Sequence, residues 1–208
     1  MTTTTRRRRL GVLAGALSAT MLMVACGSDD AADTEAAPDL TAPPTNVTWS
    51  SLSNEADVMV PVADEGPKNI GTYKDASEFE HSPVGAGLAA MNGPLRVAYA
   101  PEIGWQDAVK AAIAPSEARD ELLTNRAAVE STGEVEEEFI PTLRGWTIDD
   151  YAEDESAATV TVYSSYSDDS LASTTYDLRW LGEDWKVDLP GDVSSVDELP
   201  GDMVEVSK

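Results

Sequence analysis

The sequence predicts an α+β domain in which N-terminal helices pack on one face of a curved antiparallel sheet. Three observations support this fold class. Apolar residues recur at helical spacing between Ser82 and Gly133. From Phe139 to Leu189, apolar and polar residues mostly alternate, as they do in half-buried strands. Gly182-Glu183-Asp184 separates two of the alternating runs and predicts a tight hairpin turn.

The charge excludes several classes of function. The chain of 208 residues has 38 acidic and 14 basic residues, a formal net charge of −24. Arg6–Arg9 supply four of the basic residues, and no acidic residue precedes Asp29, so the part from Cys26 onward has 10 basic against 38 acidic residues. Nucleic acids bind clusters of Lys and Arg, so we expect no nucleic-acid partner. One Cys and one His cannot form an intrachain disulfide or a cysteine-based zinc site, and we expect neither metal nor cofactor.

Residues 1–26 predict a lipoprotein signal peptide. The Arg run precedes 16 uncharged, mostly apolar residues, Leu10–Ala25, which is short of the roughly 20 residues of a membrane span. The segment ends in Leu-Met-Val-Ala-Cys, which resembles the lipobox that signal peptidase II cleaves. We therefore expect acyl chains on Cys26 that anchor the protein to the extracytoplasmic face of the cell membrane. The sequence leaves the general secretory and twin-arginine export routes open.

The exported part divides into a tether, one domain and a tail. Residues 27–46 are rich in Ala, Asp, Thr and Pro and predict a disordered tether, because they hold too little apolar surface to bury. Residues 47–190 have the length of a single α+β domain. Residues 191–208 predict a C-terminal tail.

The first half of the domain predicts short strands and then helices. Two apolar runs predict strands at Val47–Trp49 and Val58–Val62, and Gly, Pro and Asn in residues 66–82 predict a loop. Ser82-Pro83 is a helix start, with Ser as N-cap and Pro at the first position. Helices are predicted at 82–92, ending at Asn92-Gly93-Pro94, then at 95–100, 105–114 and 116–133.

The second half predicts an antiparallel meander. Pro141 and Gly145 lie inside its first run, which indicates an irregular or bulged strand. The runs predict strands at 139–151, 158–166, 171–181 and 185–189, and a short strand in the tail at 203–206.

The closing hairpin, Arg-Trp-Leu-Gly-Glu-Asp-Trp-Lys, resembles the last hairpin of nuclear-transport-factor-2-like folds. The shared residues are Trp180, Gly182, Asp184, Trp185 and Lys186. The resemblance covers about a tenth of the chain and implies a cone-like sheet with helices on its concave side.

Residues 49–115 contain a second set of short motifs: Val60-Pro61, Gly66-Pro67 and His81-Ser82-Pro83, followed by Gly85-Ala86 and Ala89-Ala90. With these motifs the segment resembles an uncharacterised actinobacterial family found on integrative and conjugative elements, plasmids and phage-like loci. The family has no established activity, and many relatives have a membrane anchor before the domain.

The sequence contains no catalytic cluster. A Ser-His-Asp triad could use only His81, and no Gly-x-Ser-x-Gly elbow accompanies it. His81 could instead contact a ligand or fix the loop before the helix. With 38 acidic residues, adjacent carboxylates indicate a solvated surface rather than an acid–base pair. We therefore expect no catalytic residues and no metal ligands.

The aromatic residues are the remaining candidates for a binding site. If the sheet is curved, its concave face could form a pocket lined by Trp146, Tyr176 and Trp180, with His81 as a further contact. The same aromatic rings could equally form the core.

Three functions follow from these patterns. The first is a non-enzymatic protein-interaction module that a lipid holds at the membrane. Its partner would be an envelope protein with a basic face. The module would be an accessory of a mobile-element transfer or secretion apparatus. The second is a small-molecule binder that uses the concave sheet. The third is a hydrolase built on His81. The lipobox, the tether, the absence of catalytic clusters and the family resemblance favour the first. The acidic body separately predicts that a protein partner carries a basic face.

Overall fold

The computed structural model describes residues 37–52, 58–128 and 136–206. Within these ranges three helices lie between short N-terminal strands and a larger antiparallel sheet, so the α+β prediction is confirmed. The helices are α1 (Pro83–Ala98), α2 (Trp105–Ala112) and α3 (Glu117–Ala127). The strands are β1 (Thr48–Ser51), β2 (Met59–Val62), β3 (Asn69–Ile70), β4 (Ala76–Ser77), β5 (Thr142–Tyr151), β6 (Ala157–Ser165), β7 (Leu171–Trp180), β8 (Trp185–Val187), β9 (Asp192–Val196) and β10 (Val204–Glu205).

The large sheet is open, with strand order β10-β5-β6-β7-β8 and β9 also paired to β7. All its pairings are antiparallel. Trp180 pairs with Trp185 across the predicted hairpin turn. Strand β5 is bulged between Leu143 and Gly145 and again between Ile148 and Asp150, as its glycine predicted.

Helix α1 begins as the sequence predicts but does not end there. Ser82 is the N-cap, and its hydroxyl accepts a hydrogen bond from the Gly85 N–H at 3.1 Å. The predicted end at Asn92-Gly93-Pro94 is wrong, because the helix continues through Pro94 to Ala98. Tertiary contacts offset the hydrogen bond that the proline cannot make. The guanidinium of Arg126, on α3, donates to the Val97 carbonyl in the last turn of α1 and to the Ala100 carbonyl just after the helix.

Helices α2 and α3 differ in burial. α2 buries Trp105, Ala108, Val109 and Ala112, whereas no residue of α3 is buried. Two leucines of α3 pack only partly against the core. Helix α3 ends at Ala127, with Ala128 as its C-cap, and residues 129–133 of the predicted helix lie outside the described residues.

The structure describes residues on both sides of the predicted domain, 47–190. Residues 37–46, expected to belong to the tether, are described, and Thr45 donates to Glu65 through both its backbone N–H and its hydroxyl. Strands β9 and β10 lie in the expected tail; β10 is close to the predicted short strand, but β9 was not foreseen. The tail residues 192–205 therefore contribute two strands to the sheet.

The core lies between α1 and the sheet. Paired residues across an antiparallel sheet point to the same side. Trp146 pairs with Val162 and Val204, and all three are buried. This face, called the helix side, is covered by α1, whose Gly87 lies directly over the Trp146 ring.

Candidate functional site

His81 lies where three segments meet: the loop before α1, the β5–β6 turn and the β7–β8 hairpin. Its ring stacks on Trp180, with centroids 4.0 Å apart and an interplanar angle of 11°. Its Nε2 lies 2.7 Å from the backbone oxygen of Glu155. A carbonyl oxygen only accepts, so Nε2 carries the hydrogen and donates it. The imidazole thereby joins the three segments.

The second ring nitrogen of His81 faces a carboxylate. Nδ1 lies 4.0 Å from Oε2 of Glu155. In the neutral ring Nδ1 holds a lone pair, and in the protonated ring it carries a hydrogen directed to an anion. The side chains of His81 and Glu155 are 36% and 44% exposed, so solvent weakens this pair.

Aromatic rings continue from His81 into the core. Trp180 meets Trp185 edge to face at 5.4 Å, and Tyr151 tilts against Trp185 at 5.9 Å. Trp185 is 1% exposed, and its indole N–H donates to the Glu80 carbonyl at 3.0 Å. The four rings form what we call the His81 cluster: His81, Trp180, Trp185 and Tyr151.

A buried carboxylate holds the hairpin to the loop that carries His81. Asp184 is 4% exposed. Its Oδ1 accepts from the N–H groups of Phe79 and Trp185, each at 3.0 Å, and its Oδ2 lies 2.9 Å from the Lys186 ammonium. The ammonium also donates to the Ala111 carbonyl at the end of α2. Asp184 therefore fixes the position of the loop before α1 relative to the sheet.

The hydroxyl of Tyr151 is buried, and among the described residues it has no hydrogen-bond partner. Burial, and secondarily the Glu155 charge, raises the pKa of Tyr151 from its ordinary 10.0 to about 12. The folded protein therefore retains this proton over a pH range in which the unfolded chain loses it. The stability that this group contributes is complete below pH 10 and is lost as the pH rises towards 12.

Tyr151→Phe is expected to leave the free energy of unfolding at pH 7 unchanged or to raise it by up to about 1 kcal/mol, because a buried unpaired hydroxyl is removed. Above pH 10 the variant should lose less stability than the wild type. Urea unfolding of both proteins at pH 7 and pH 11 measures the two effects. Parallel losses in the two proteins would contradict this account of Tyr151.

Of the four residues predicted to contact a ligand, the structure brings His81 and Trp180 together. Trp146 is 1% exposed beneath Gly87 and belongs to the core. Tyr176 is half-buried, and burial raises the pKa of its hydroxyl.

The His81 ring lacks the surroundings of a catalytic base in a triad. Within the described residues its hydrogen-bond and ring contacts are Glu155 and two tryptophans, without a serine or threonine hydroxyl. Sequence reasoning missed Tyr151, a member of the His81 cluster, and Glu155, which contacts the His81 ring. Both lie about 70 residues from His81 in a stretch rich in acids, and no local signal pairs them.

The described ranges contain neither a cluster of metal ligands nor a helix that could span a membrane. In that part of the chain no three His, Cys, Asp or Glu side chains are grouped so that they could hold a metal ion. No described helix is both long and apolar enough to cross a bilayer. Cys26, the predicted lipidation site, lies outside the described residues.

Comparison with known proteins gives a family. Neither the curated proteins nor the solved structures contain a match to this chain. A family model described as a domain of unknown function, DUF8175, matches residues 15–204. The match extends well beyond residues 49–115, where the sequence resembles an uncharacterised family, and it starts inside the apolar N-terminal segment. The chain therefore belongs to the DUF8175 family of domains of unknown function.

Proposed function

We propose that this protein is a lipid-anchored lipoprotein of the extracytoplasmic membrane face, and that its domain is a non-enzymatic protein-interaction module. The partner would be an envelope protein with a basic face. The resemblance to proteins of actinobacterial mobile elements supports a role as an accessory of a transfer or secretion apparatus.

The observation that carries the proposal is that the helix side of the sheet is filled. Trp146, Leu178, Trp185 and Val187 are each 1% exposed, and Val160 is fully buried. A small-molecule binder that used this face would need an open cavity, but these side chains fill that space. The side chains of the buried face form the core and stabilise the fold. We therefore place the binding of a partner on the outer surfaces of the domain.

The other face of the sheet is polar and acidic. Thr161 pairs with Thr147 on one side and with Thr175 on the other, and these side chains point away from the helices. Exposed carboxylates border them, and Asp177 accepts from the Thr159 hydroxyl at 2.8 Å. Such a face complements a basic protein surface, and its attraction should weaken as salt is added.

The anchor rests on the sequence. The family model matches residues 15–204. This range includes Cys26 and the part of the apolar segment from residue 15 onward. For the fold, helices covering one face of an antiparallel sheet, with a Trp180–Trp185 hairpin, support a nuclear-transport-factor-2-like architecture. The sheet is open at both ends, as in a partly formed cone.

The anchor can be tested by fractionating cells that are fed a labelled fatty acid. We expect the wild type in the membrane fraction with label, and Cys26→Ala in the soluble or unprocessed pool without label. Ser28→Ala, two residues away, is the matched control and should behave as the wild type. Label on Cys26→Ala, or unchanged membrane retention by it, would contradict lipid anchoring.

Small-molecule binding remains a second candidate because His81 and Trp180 form a half-exposed stack. A planar ligand could insert against these rings, beside Glu155. Denaturing extraction of protein purified from its own cells, followed by mass spectrometry, distinguishes the two functions. A stoichiometric compound that is lost in Trp180→Ala would favour the binder over the interaction module.

A further inference from the structure

Strand β9 is an open edge of the large sheet. It pairs with β7 along five residues, from Thr175↔Asp192 to Leu171↔Val196. Within the described residues its backbone makes no other hydrogen bond. Alternate N–H and C=O groups of an edge strand point away from its neighbour and can pair with another strand.

The other edges of the sheet are short or interrupted, and the terminal strand β10 has only two residues. On β5, Gly145 and Trp146 are covered by β10, and a bulge lies between Ile148 and Asp150. On β8, Val187 accepts a hydrogen bond from the Ala114 N–H at 2.9 Å. Bulges and covering segments are devices that prevent strand addition. In the part of the chain that the structure describes, β9 has neither.

The side chains of β9 give the open edge two chemically different sides. Val193 pairs with Thr174 and so points to the helix side, yet it is 72% exposed. Asp192 and Ser194 point to the other side and are also exposed. An added strand would therefore place an apolar side chain beside Val193 and polar or charged side chains beside Asp192.

The charge around β9 selects its occupant. Strand β9 begins at Asp192, and Asp197 and Glu198 follow its end. Residues 187–206 contain neither lysine nor arginine. A second copy paired antiparallel through β9 would place Asp192 opposite these acids. The chain's own residues 27–36 are also acidic. Charge complementarity therefore favours a basic extended segment over both.

We infer that β9 is the docking edge for an extended, basic segment of the partner protein, which adds as a further strand to the sheet. The inference rests on the proposed interaction function and specifies its surface. The bound segment alternates apolar residues, which cover Val193, with Lys or Arg, which face Asp192 and the acids beyond the strand.

The test titrates isotope-labelled full-length protein, in mild detergent, with a blocked peptide of alternating valine and lysine, about seven residues long. We expect amide shifts concentrated in residues 192–196 that weaken with salt. A valine–glutamate peptide, and a valine–lysine peptide methylated on alternate backbone nitrogens, should not produce them. Absence of binding, or shifts spread over the acidic surface of α3, would overturn the inference.

A matched pair of variants distinguishes the edge from general charge attraction. Val193→Asp should weaken the valine–lysine peptide by about tenfold. Ile103→Asp changes a side chain that is 68% exposed elsewhere on the domain and should leave the affinity unchanged. Equal effects of the two variants would overturn the assignment to β9. If the wild type is a dimer that Val193→Asp dissociates, the inference is also overturned, because a second copy would then occupy the edge.

Failure of this inference is separable from failure of the proposed function. If pull-downs from cells recover the same envelope partner with the wild type and with Val193→Asp, the assignment to β9 fails and the interaction function stands. If neither recovers a partner while the peptide still binds β9, the interaction function fails.

Discussion

Gly87→Ala is expected to lower the free energy of unfolding by about 1–3 kcal/mol, because a new methyl group would overpack the core. A Cβ at this position would lie 2.2 Å from Cε2 of Trp146, closer than two carbon atoms can approach. The new Cβ would press on the Trp146 ring. Trp146 is 1% exposed, so its ring has little room to move away. Urea unfolding at pH 7 measures the loss.

Gly93→Ala is the matched control, because both glycines are buried in α1. Both substitutions gain about 1 kcal/mol of helix propensity. At Gly93 the nearest side-chain atom is the Ala112 Cβ at 3.2 Å, a much milder contact. The difference between the two variants therefore isolates the packing against Trp146.

The Gly87–Trp146 contact also predicts coupling. Trp146→Phe opens space for the added methyl, so the double variant Gly87→Ala/Trp146→Phe should lose less stability than the sum of the single variants, by about 1 kcal/mol. Additive losses would mean that the helix and the tryptophan are not in the contact that the structure shows.

Asp184→Ala is expected to lower the free energy of unfolding by about 3–5 kcal/mol, because one partner of a buried ion pair is removed. The Lys186 side chain, 15% exposed, would be left near the Ala111 carbonyl without a carboxylate. The N–H groups of Phe79 and Trp185 would also lose their acceptor. Chemical unfolding, monitored by tryptophan fluorescence, measures the loss.

Two further variants show which part of the Asp184 contact matters. Asp184→Asn keeps an acceptor for the two backbone N–H groups and removes the ion pair, so its loss should be intermediate. Glu183→Gln changes the exposed neighbour and should stay within about 0.5 kcal/mol of the wild type. An effect of Glu183→Gln as large as that of Asp184→Ala would contradict the assignment.

Local patterns predicted the elements that depend on neighbouring residues. The Trp180–Trp185 hairpin, the Ser82 cap and the bulged β5 follow from turn residues, capping residues and alternation within short windows. The end of α1 was missed, because Arg126 and the buried surroundings, which lie far along the chain, hold the helix past Pro94. Strand β9 was missed because its five residues, Asp-Val-Ser-Ser-Val, lack a run of apolar residues.

The candidate site could be predicted only in part. His81 and Trp180 were singled out by their chemistry, but their stacking joins segments almost 100 residues apart, which no local window shows. Trp146 shares the helix side with Trp180, as alternation implies. Its burial depends on Gly87, whose small size lets α1 approach the sheet. Alternation gives the face of a side chain, whereas the opposing layer decides its exposure.

Proximity labelling in intact cells tests the central claim, that the domain binds an envelope protein from a lipid anchor. A labelling enzyme fused after Lys208 would report the neighbours of the wild type and of Cys26→Ala. We predict that a defined envelope protein with a basic surface is enriched by the wild type and lost with Cys26→Ala. The same labelled proteins for both forms, or no enriched protein with the wild type, would contradict the claim.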